Sequence, residues 1–172
     1  MTRIFLVGYM GCGKTTTGKR LSKKYGLDFV DLDHYIESRY FKTVSQLFKE
    51  KGENGFREIE RDLLREVADF ENVIISTGGG TACFFDNMEF MNQKGETVYL
   101  KATAADLTDY LRTASKDRPL LAKKSEKELF DFISGMLKKR EPFYSQAKYM
   151  IEARDMSDVL FDNLVKNTLH IP

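Results

Sequence analysis

The first fifteen residues of the chain constrain its fold more than any other segment. A short apolar run, Ile4–Val7, leads into the octapeptide Gly8–Thr15, which reads Gly-Tyr-Met-Gly-Cys-Gly-Lys-Thr. This octapeptide fits the phosphate-loop pattern G-x-x-x-x-G-K-[ST], and the helical stretch that the pattern needs follows it directly. A strand, a glycine-rich turn and a helix start together form a nest of backbone N–H groups that binds polyphosphate. The sequence therefore predicts a nucleoside triphosphate site at the N-terminus.

The individual residues of this loop have predicted roles. Lys14 is expected to reach the β- and γ-phosphates, and the hydroxyl of Thr15 is expected to hold Mg²⁺. The remaining predicted contacts to the triphosphate come from Gly11, Cys12, Gly13 and Thr16. A glycine turn that only packs a helix on a strand is the alternative. It is disfavoured because both glycines, the Lys-Thr pair and the flanking elements are all present.

Short apolar runs alternate with amphipathic stretches along the rest of the chain. The predicted strands are Ile4–Val7, Phe29–Leu32, Val73–Ser76, Thr97–Leu100 and Tyr149–Ile151. The predicted helices are Lys14–Tyr25, Asp33–Arg39, Ser45–Lys51, Phe56–Phe70, Phe85–Lys94, Ala104–Thr113, Glu126–Arg140 and Asp158–Leu169. This alternation predicts a three-layer α/β/α fold with a five-stranded parallel sheet. At 172 residues the chain is expected to form a single domain over residues 1–172.

Composition excludes several classes of protein. The formal net charge is +1 with both signs spread along the chain, which disfavours nucleic acid or an anionic membrane as partner. No apolar run approaches the roughly 18 residues of a membrane span, and the N-terminal strand leaves no room for a signal peptide. Cys12 and Cys83 form no disulfide framework, so a reducing cytoplasm is expected. The two histidines, His34 and His170, lack a surrounding zinc ligand set.

Two carboxylates close the second predicted strand. Asp31 and Asp33 are two residues apart at the end of a strand, so their side chains point the same way. That direction is toward the cleft at the carboxyl end of the sheet, where ligands collect. One could hold the water shell of Mg²⁺ and the other could accept hydrogen bonds from an alcohol, as phosphoryl transfer requires. The alternative is that Asp33 caps the following helix, which leaves Asp31 without a role.

Glycines and a paired arginine form two further candidate groups. Gly78–Gly80 follow the third predicted strand, where they let a ligand approach the backbone, although a flexible turn is the plainer interpretation. Arg57 and Glu60 lie three residues apart on a helix and can pair, which would orient the guanidinium as a fork for a carboxylate. An ordinary surface ion pair is the commoner alternative.

Two basic segments lie late in the chain. The polar segment 112–122 carries cations that could close over a transferring phosphoryl group and exclude water. Farther on, Arg140 is predicted to lie where a helix is interrupted near Pro142. Lys138 and Lys139 are interpreted as a solvated helix face.

These residues together resemble the shikimate kinases, small P-loop NTPases related to the nucleoside monophosphate kinases. The resemblance covers essentially the whole chain, through Gly8–Thr16, Asp31 and Asp33, Phe56-Arg57 with Glu60, Gly78–Gly80, Arg118-Pro119-Leu120-Leu121, and Arg140 with Tyr144. It implies ATP-dependent phosphorylation of the 3-hydroxyl of shikimate, on the route to chorismate and aromatic amino acids. It also implies Mg²⁺ as cofactor and a cytoplasmic monomer whose partners are small molecules.

The resemblance assigns the acid-binding roles by position. Asp33 would hold the shikimate hydroxyls and orient or deprotonate the attacking one. Arg57 and Arg140 would clamp the carboxylate, and the backbone of Gly79 would support the ring hydroxyls, with Gly78 and Gly80 also in the substrate-binding set. Glu60 would pair with Arg57 and orient its guanidinium toward the substrate. The substrate-binding segment would span residues 33–60.

The nucleotide-binding roles follow in the same way. Thr15 would bind Mg²⁺ directly, and Asp31 would bind it through water. Lys14 and Arg118 would neutralise charge on the transferring group. The adenine contacts would fall on Arg112 and Arg154, and the lid would span residues 111–125.

Two other functions remain open at this point. Gluconate also carries a carboxylate and hydroxyls, so a gluconate kinase-like or nucleoside monophosphate kinase-like enzyme is an alternative. A nucleotide-binding regulatory or scaffold protein without catalysis is another. A scaffold needs neither catalytic nor acid-binding groups, and this chain has both. These groups are Lys14, Asp33, Arg57, Arg118 and Arg140.

Overall fold

The computed structural model describes residues 1–114, 124–153, 161–163 and 166. The strands are β1 (Arg3–Val7), β2 (Asp28–Asp31), β3 (Val73–Ser76), β4 (Glu96–Lys101) and β5 (Tyr149–Glu152). The main helices are α1 (Lys14–Tyr25), α2 (Leu32–Tyr40), α3 (Val44–Val67), α4 (Asn87–Lys94), α5 (Ala104–Ala114) and α6 (Glu126–Tyr144). A short 3-10 helix, Thr81–Cys83, follows β3.

The five strands form one parallel sheet in the order β2-β3-β1-β4-β5. Phe5 and Leu6 are consecutive residues of β1, so their side chains point to opposite faces, and both are 0% exposed. Helices must therefore cover both faces of the central strand. This arrangement confirms the predicted three-layer α/β/α fold.

The strand order brings the ends of three strands together. From β1 at the centre, the chain first builds β2 and β3 on one side and then β4 and β5 on the other. Ligands of such sheets bind where the order reverses, at the carboxyl ends of the strands. The register pairs Leu6 with Ser76 and Asp31 with Ser76. The segments that follow β1, β2 and β3 consequently begin side by side.

Helix α3 joins two predicted helices across a kink. Thr43 and Gln46 form a reciprocal capping box at its start. Gly52 has φ 70° and ψ 177°, which interrupts the helix near the predicted break after Lys51. The second half ends at Val67 rather than at Phe70.

Helix α6 corrects one prediction. The sequence placed the end of this helix at Arg140 because of Pro142, but the helix continues through Pro142 to Tyr144. Tyr144 is fully buried against Tyr99 of β4, and its hydroxyl donates a hydrogen bond to the carbonyl of Gly79. Because these tertiary contacts anchor the last turn, they outweigh the donor that proline lacks.

The C-terminal helix is described only in part. Residues 161–163 and 166 are helical, and the rest of the predicted helix Asp158–Leu169 lies outside the described residues. Within the described part of the chain, no helix has the length and apolar character needed to cross a membrane.

Candidate active site

The phosphate loop connects β1 to α1. Gly11 and Gly13 have φ values of 84° and 95°, a region that favours glycine. Gly13 is the N-cap of α1, so the backbone N–H groups at the start of that helix open into a cleft. The cleft is lined by Met10, Gly11, Gly13, Lys14, Thr15, Thr16, Asp31, Asp33, Ser76, Thr77, Gly78, Gly79 and Tyr110.

Lys14 lies folded within this loop. Its side chain is buried, and Nζ donates to the carbonyl oxygens of Gly8 at 2.7 Å and Tyr9 at 2.9 Å. Nζ also lies 3.7 Å from Sγ of Cys12, which is a weak acceptor. The loop therefore holds the ammonium group at the wall of the cleft through its own backbone.

Thr15, Asp31 and Ser76 form an oxygen cluster beside the loop. Oγ1 of Thr15 donates to Oδ2 of Asp31 at 2.7 Å and lies 3.5 Å from Oγ of Ser76. Hydroxyl and carboxylate oxygens are the ligands that Mg²⁺ prefers. Ser76 was not predicted, although a polar residue that ends an apolar strand is a usable signal.

Asp31, rather than Asp33, caps helix α2. Its Oδ1 accepts a hydrogen bond from the backbone N–H of His34 at 3.2 Å. The helix begins at Leu32, so Asp33 lies in its first turn with its carboxylate free of the capping contact. The alternative interpretation of Asp33 as the cap is therefore wrong.

Asp33 lines the same cleft in an unusual electrostatic environment. Burial, together with the charges of Glu60 and Asp31 and against the opposing effect of Lys14, raises the pKa of its carboxyl group to about 6. A methyl group at the Cβ position of Gly78 would lie 3.0 Å from Oδ1 of Asp33. A carboxylate with a pKa near working pH is suited to accept a proton.

Arg57 and Glu60 form a buried pair. Their exposed fractions are 7% and 1%, and Nη1 of Arg57 donates to Oε2 of Glu60 at 2.8 Å. The second oxygen of Glu60 accepts a hydrogen bond from Thr81 at 2.6 Å. The ring of Phe84 lies 4.1 Å from Cζ of Arg57. The ordinary surface ion pair considered from the sequence is thus excluded, and the buried Thr81 is a residue that the sequence did not indicate.

One donor of Arg57 has no acceptor within the described residues. The Nε atom is buried there without a hydrogen-bond partner. A buried unpaired donor destabilises a protein by about 1–3 kcal/mol, so such a group indicates a missing partner. A carboxylate that accepts from the edge of the guanidinium would supply it.

The glycine turn brings the two arginines together. A methyl group on Gly80 would lie 2.5 Å from Nη2 of Arg57, and one on Gly79 would lie 3.5 Å from Nη1 of Arg140. The guanidinium of Arg140 also lies over the ring of Tyr9, with Cζ 5.5 Å from the ring centroid. Both guanidinium groups therefore lie against neighbouring glycines at one edge of the cleft.

A second cavity adjoins the phosphate loop. It is lined by Gly11, Cys12, Gly13, Thr16, Ala102, Asp106, Leu107, Tyr110 and Ala153. Tyr110 borders both this cavity and the main cleft, and its side chain is 54% exposed. Its ring lies 2.8 Å from where a methyl group on Gly11 would be. No motif in the sequence pointed to Tyr110.

The remaining predicted nucleotide contacts stay predictions. Nη1 of Arg112 forms an ion pair with Oε2 of Glu126 at 2.7 Å, which links α5 to α6. Arg118 and Arg154 lie outside the described residues, as do residues 115–123 of the predicted lid.

Comparison with known proteins agrees with this geometry. The shikimate kinase family model matches residues 10–169. A shikimate kinase of Phocaeicola vulgatus is 59% identical over 158 residues, which cover 92% of this chain and 90% of that protein. The crystal structure of shikimate kinase from Bacteroides thetaiotaomicron has a TM-score of 0.90 at 51% identity and covers 99% of both chains. Shikimate kinase from Acinetobacter baumannii in complex with shikimate has a TM-score of 0.83 at 34% identity, covering 98% of this chain and 96% of that one. This chain belongs to the shikimate kinase family.

Proposed function

We propose that the chain transfers the γ-phosphoryl group of ATP to the 3-hydroxyl of shikimate, giving shikimate 3-phosphate and ADP. The observation that carries this proposal is the glycine turn Gly78–Gly80, which brings Asp33, Arg140 and Arg57 together beside the phosphate loop. Shikimate is a small ring with one carboxylate and adjacent hydroxyls, so it needs cations on one side and a carboxylate on the other. In the cell the reaction serves chorismate and aromatic amino acid synthesis.

The acid end of the substrate is bound by the two arginines. Arg57 is held by Glu60 and stacks on Phe84, so its direction is fixed before substrate arrives. Its unpartnered Nε and the guanidinium of Arg140 provide donors for one carboxylate. A pre-oriented fork loses little entropy on binding, which supports this assignment.

The transfer step depends on position and charge rather than on covalent chemistry. Asp33 accepts the hydrogen bond of the attacking hydroxyl and takes its proton as the new bond forms. Lys14 moves from the carbonyls of Gly8 and Tyr9 to the phosphates, and Arg118 joins it there. Both cations offset the charge that develops on the transferring group.

Mg²⁺ fits the oxygen cluster beside the loop. Thr15 would bind it directly, while Asp31 and Ser76 would hold its water shell, since their oxygens lie within 3.5 Å of Oγ1 of Thr15. When bound, the ion neutralises phosphate charge.

We further propose a cytoplasmic monomer with one domain over residues 1–172. Its substrate-binding segment spans residues 33–60, and its lid spans residues 111–125. Sedimentation at micromolar concentration with both substrates would test the monomer.

Substrate choice tests the proposed function directly. Steady-state rates should be measured with shikimate, gluconate and nucleoside monophosphates at equal ATP. We expect turnover with shikimate and none with gluconate or nucleoside monophosphates. Turnover with gluconate but not shikimate would contradict the proposal, and ATP binding without transfer to any of these acceptors would favour a scaffold.

The fall of kcat/KM at low pH should report the protonation of Asp33. We expect kcat/KM for shikimate to fall below about pH 6, because burial raises the pKa of Asp33 to about 6 and only the ionised carboxylate accepts the proton. Circular dichroism across the same range checks that the enzyme stays folded. A rate that remains constant down to about pH 4.5 would contradict the assignment.

Tyr110 is proposed as the stacking platform for the base of ATP, because its exposed ring lies over the phosphate loop and borders the second cavity. Tyr110→Ala should raise KM for ATP roughly 5- to 100-fold, since stacking on one base is worth about 1–3 kcal/mol. Binding of inorganic tripolyphosphate, which has no base, should stay unchanged. Tyr110→Phe is the matched control and should retain ATP binding. Equal loss of ATP and tripolyphosphate binding would refute a role in stacking.

A further inference from the structure

Tyr144 connects the last turn of α6 to the glycine turn. Its side chain is fully buried, and its hydroxyl donates a hydrogen bond to the carbonyl of Gly79. Tyr144 follows Arg140 by four residues on the same helix, so the two side chains lie on one face. One helix face thus carries both a guanidinium that lies against Gly79 and a hydroxyl that holds it.

The Tyr144 ring has a second anchor besides its hydroxyl. The ring packs on Tyr99 of β4, with centroids 5.2 Å apart and an interplanar angle of 34°. Tyr99 is buried as well. Burial raises the pKa of Tyr144, so its hydroxyl is a neutral donor at physiological pH. Removing only the hydroxyl should therefore leave the packing intact.

The hydrogen bond fixes the direction of a peptide unit. The carbonyl of Gly79 and the N–H of Gly80 belong to the same trans peptide and point in opposite directions. When Tyr144 holds the carbonyl from the buried side, the N–H of Gly80 turns away from that side. The carbonyl of Gly78 accepts from the N–H of Thr81 at 3.2 Å, which fixes the preceding peptide in the same way.

Glycine makes such bonds necessary. Successive glycines have no side chain to restrict φ and ψ, so the turn would otherwise sample several conformations. Yet the guanidinium groups of Arg57 and Arg140 both lie against this turn. A change in the turn would open the space between them or close it.

We propose that Tyr144 is a positioning residue for the acid substrate. Its hydroxyl holds the Gly79–Gly80 peptide in the orientation that both arginines need to grip one carboxylate. The role rests on the proposed function, because it concerns the binding of shikimate. It acts on binding and not on the transfer of the phosphoryl group.

Tyr144→Phe removes this hydrogen bond together with the contact between the hydroxyl and Arg140, and it keeps the ring. We expect KM for shikimate to rise roughly 3- to 10-fold, because the loss of one hydrogen bond, worth about 1 kcal/mol, lets the glycine turn leave the orientation that both arginines need. We expect kcat to remain within about 2-fold and KM for ATP to remain unchanged, because the phosphate loop keeps its own contacts. Tyr99→Phe is the matched control, since it removes a buried hydroxyl from the partner ring and leaves the Gly79 contact in place.

The outcomes separate positioning from general stability. A rise in KM for shikimate in Tyr144→Phe but not in Tyr99→Phe, at similar melting temperatures, supports the proposal. An unchanged KM for shikimate in Tyr144→Phe, or equal effects in both variants, overturns the positioning role of Tyr144. The proposed function still stands in that case if the wild-type enzyme phosphorylates shikimate. A wild-type protein that does not phosphorylate shikimate overturns both.

Discussion

Replacing Asp33 with asparagine is expected to lower kcat for shikimate phosphorylation roughly 10²- to 10⁴-fold, the usual contribution of a general base. Asparagine keeps the size of the side chain but cannot accept the proton of the attacking hydroxyl. ATP binding, measured by calorimetry, should stay near the wild-type value because we assign Asp33 to the acceptor and not to the nucleotide. Wild-type turnover in this variant would remove Asp33 from the mechanism.

Asp28→Asn provides the matched control. Asp28 lies exposed at the opposite end of β2, and its replacement causes the same change in charge. It should leave both kcat and KM unchanged. A loss of activity in both variants would indicate a general effect of charge or folding rather than the chemistry of Asp33.

The same substitution at Asp33 should stabilise the free protein. The folded protein raises the pKa of Asp33 to about 6 from its ordinary 3.8, so it holds this proton more tightly than the unfolded chain. The stabilisation from this proton is present below about pH 3.8 and is lost as pH rises through about 6. At pH 7.5, Asp33→Asn should therefore gain about 1–3 kcal/mol in the free energy of unfolding, measured with urea.

Arg57→Lys is expected to raise KM for shikimate roughly 10- to 100-fold, the value of charge-assisted hydrogen bonds from an oriented fork. Lysine keeps a positive charge beside Glu60, which is buried, but it cannot supply the Nε donor or stack on Phe84. Alanine would leave the carboxylate of Glu60 buried without its partner, and the fold itself would suffer. Lysine is therefore the sharper test, with KM for ATP measured in parallel.

Arg61→Lys is the control for this substitution. Arg61 lies one turn farther along α3, where its guanidinium is 4.8 Å from the ring of Phe85 and Nε pairs with Asp62 at 3.1 Å. It thus has a similar aromatic and acidic environment away from the glycine turn. Arg61→Lys should leave KM for shikimate unchanged. An unchanged KM in Arg57→Lys would remove Arg57 from the acid site.

The sheet and the phosphate loop were predictable because their signals are local. Each strand contains at least two consecutive apolar residues, and its observed bounds differ from the predicted ones by at most one residue at either end. The loop combines glycines, lysine and threonine within one octapeptide, so its conformation depends on few distant contacts. The parallel order then follows from the alternation of strands and helices.

Two details of the helices depended on less local information. Asp31 and Asp33 are equally good caps by residue type, and a shift of two residues in the helix start decides between them. The continuation of α6 past Pro142 depends on Tyr144, which is anchored by Tyr99 and Gly79 from distant segments. Sequence periodicity does not report such contacts.

The supporting residues of the site were the hardest to predict. Ser76, Thr81 and Tyr110 belong to no motif, and they join the site only when the fold places them near Thr15, Glu60 and Gly11. The spacing of Arg57 and Glu60 predicted their pairing. It did not predict their burial, which arises because Phe48 and Phe84 pack on the guanidinium from outside the pair.

The adjacency of β1 and β3 places the phosphate loop beside the glycine turn. The phosphate loop leaves β1, and the glycine turn leaves β3 beside it, with Leu6 opposite Ser76 in the hydrogen-bonded ladder. Neighbouring strands lie about 4.8 Å apart, and this separation cannot change without breaking the sheet. In the proposed site the backbone itself brings donor and acceptor together, and we expect that an inhibitor that joins a nucleotide to a cyclic acid needs only a short linker.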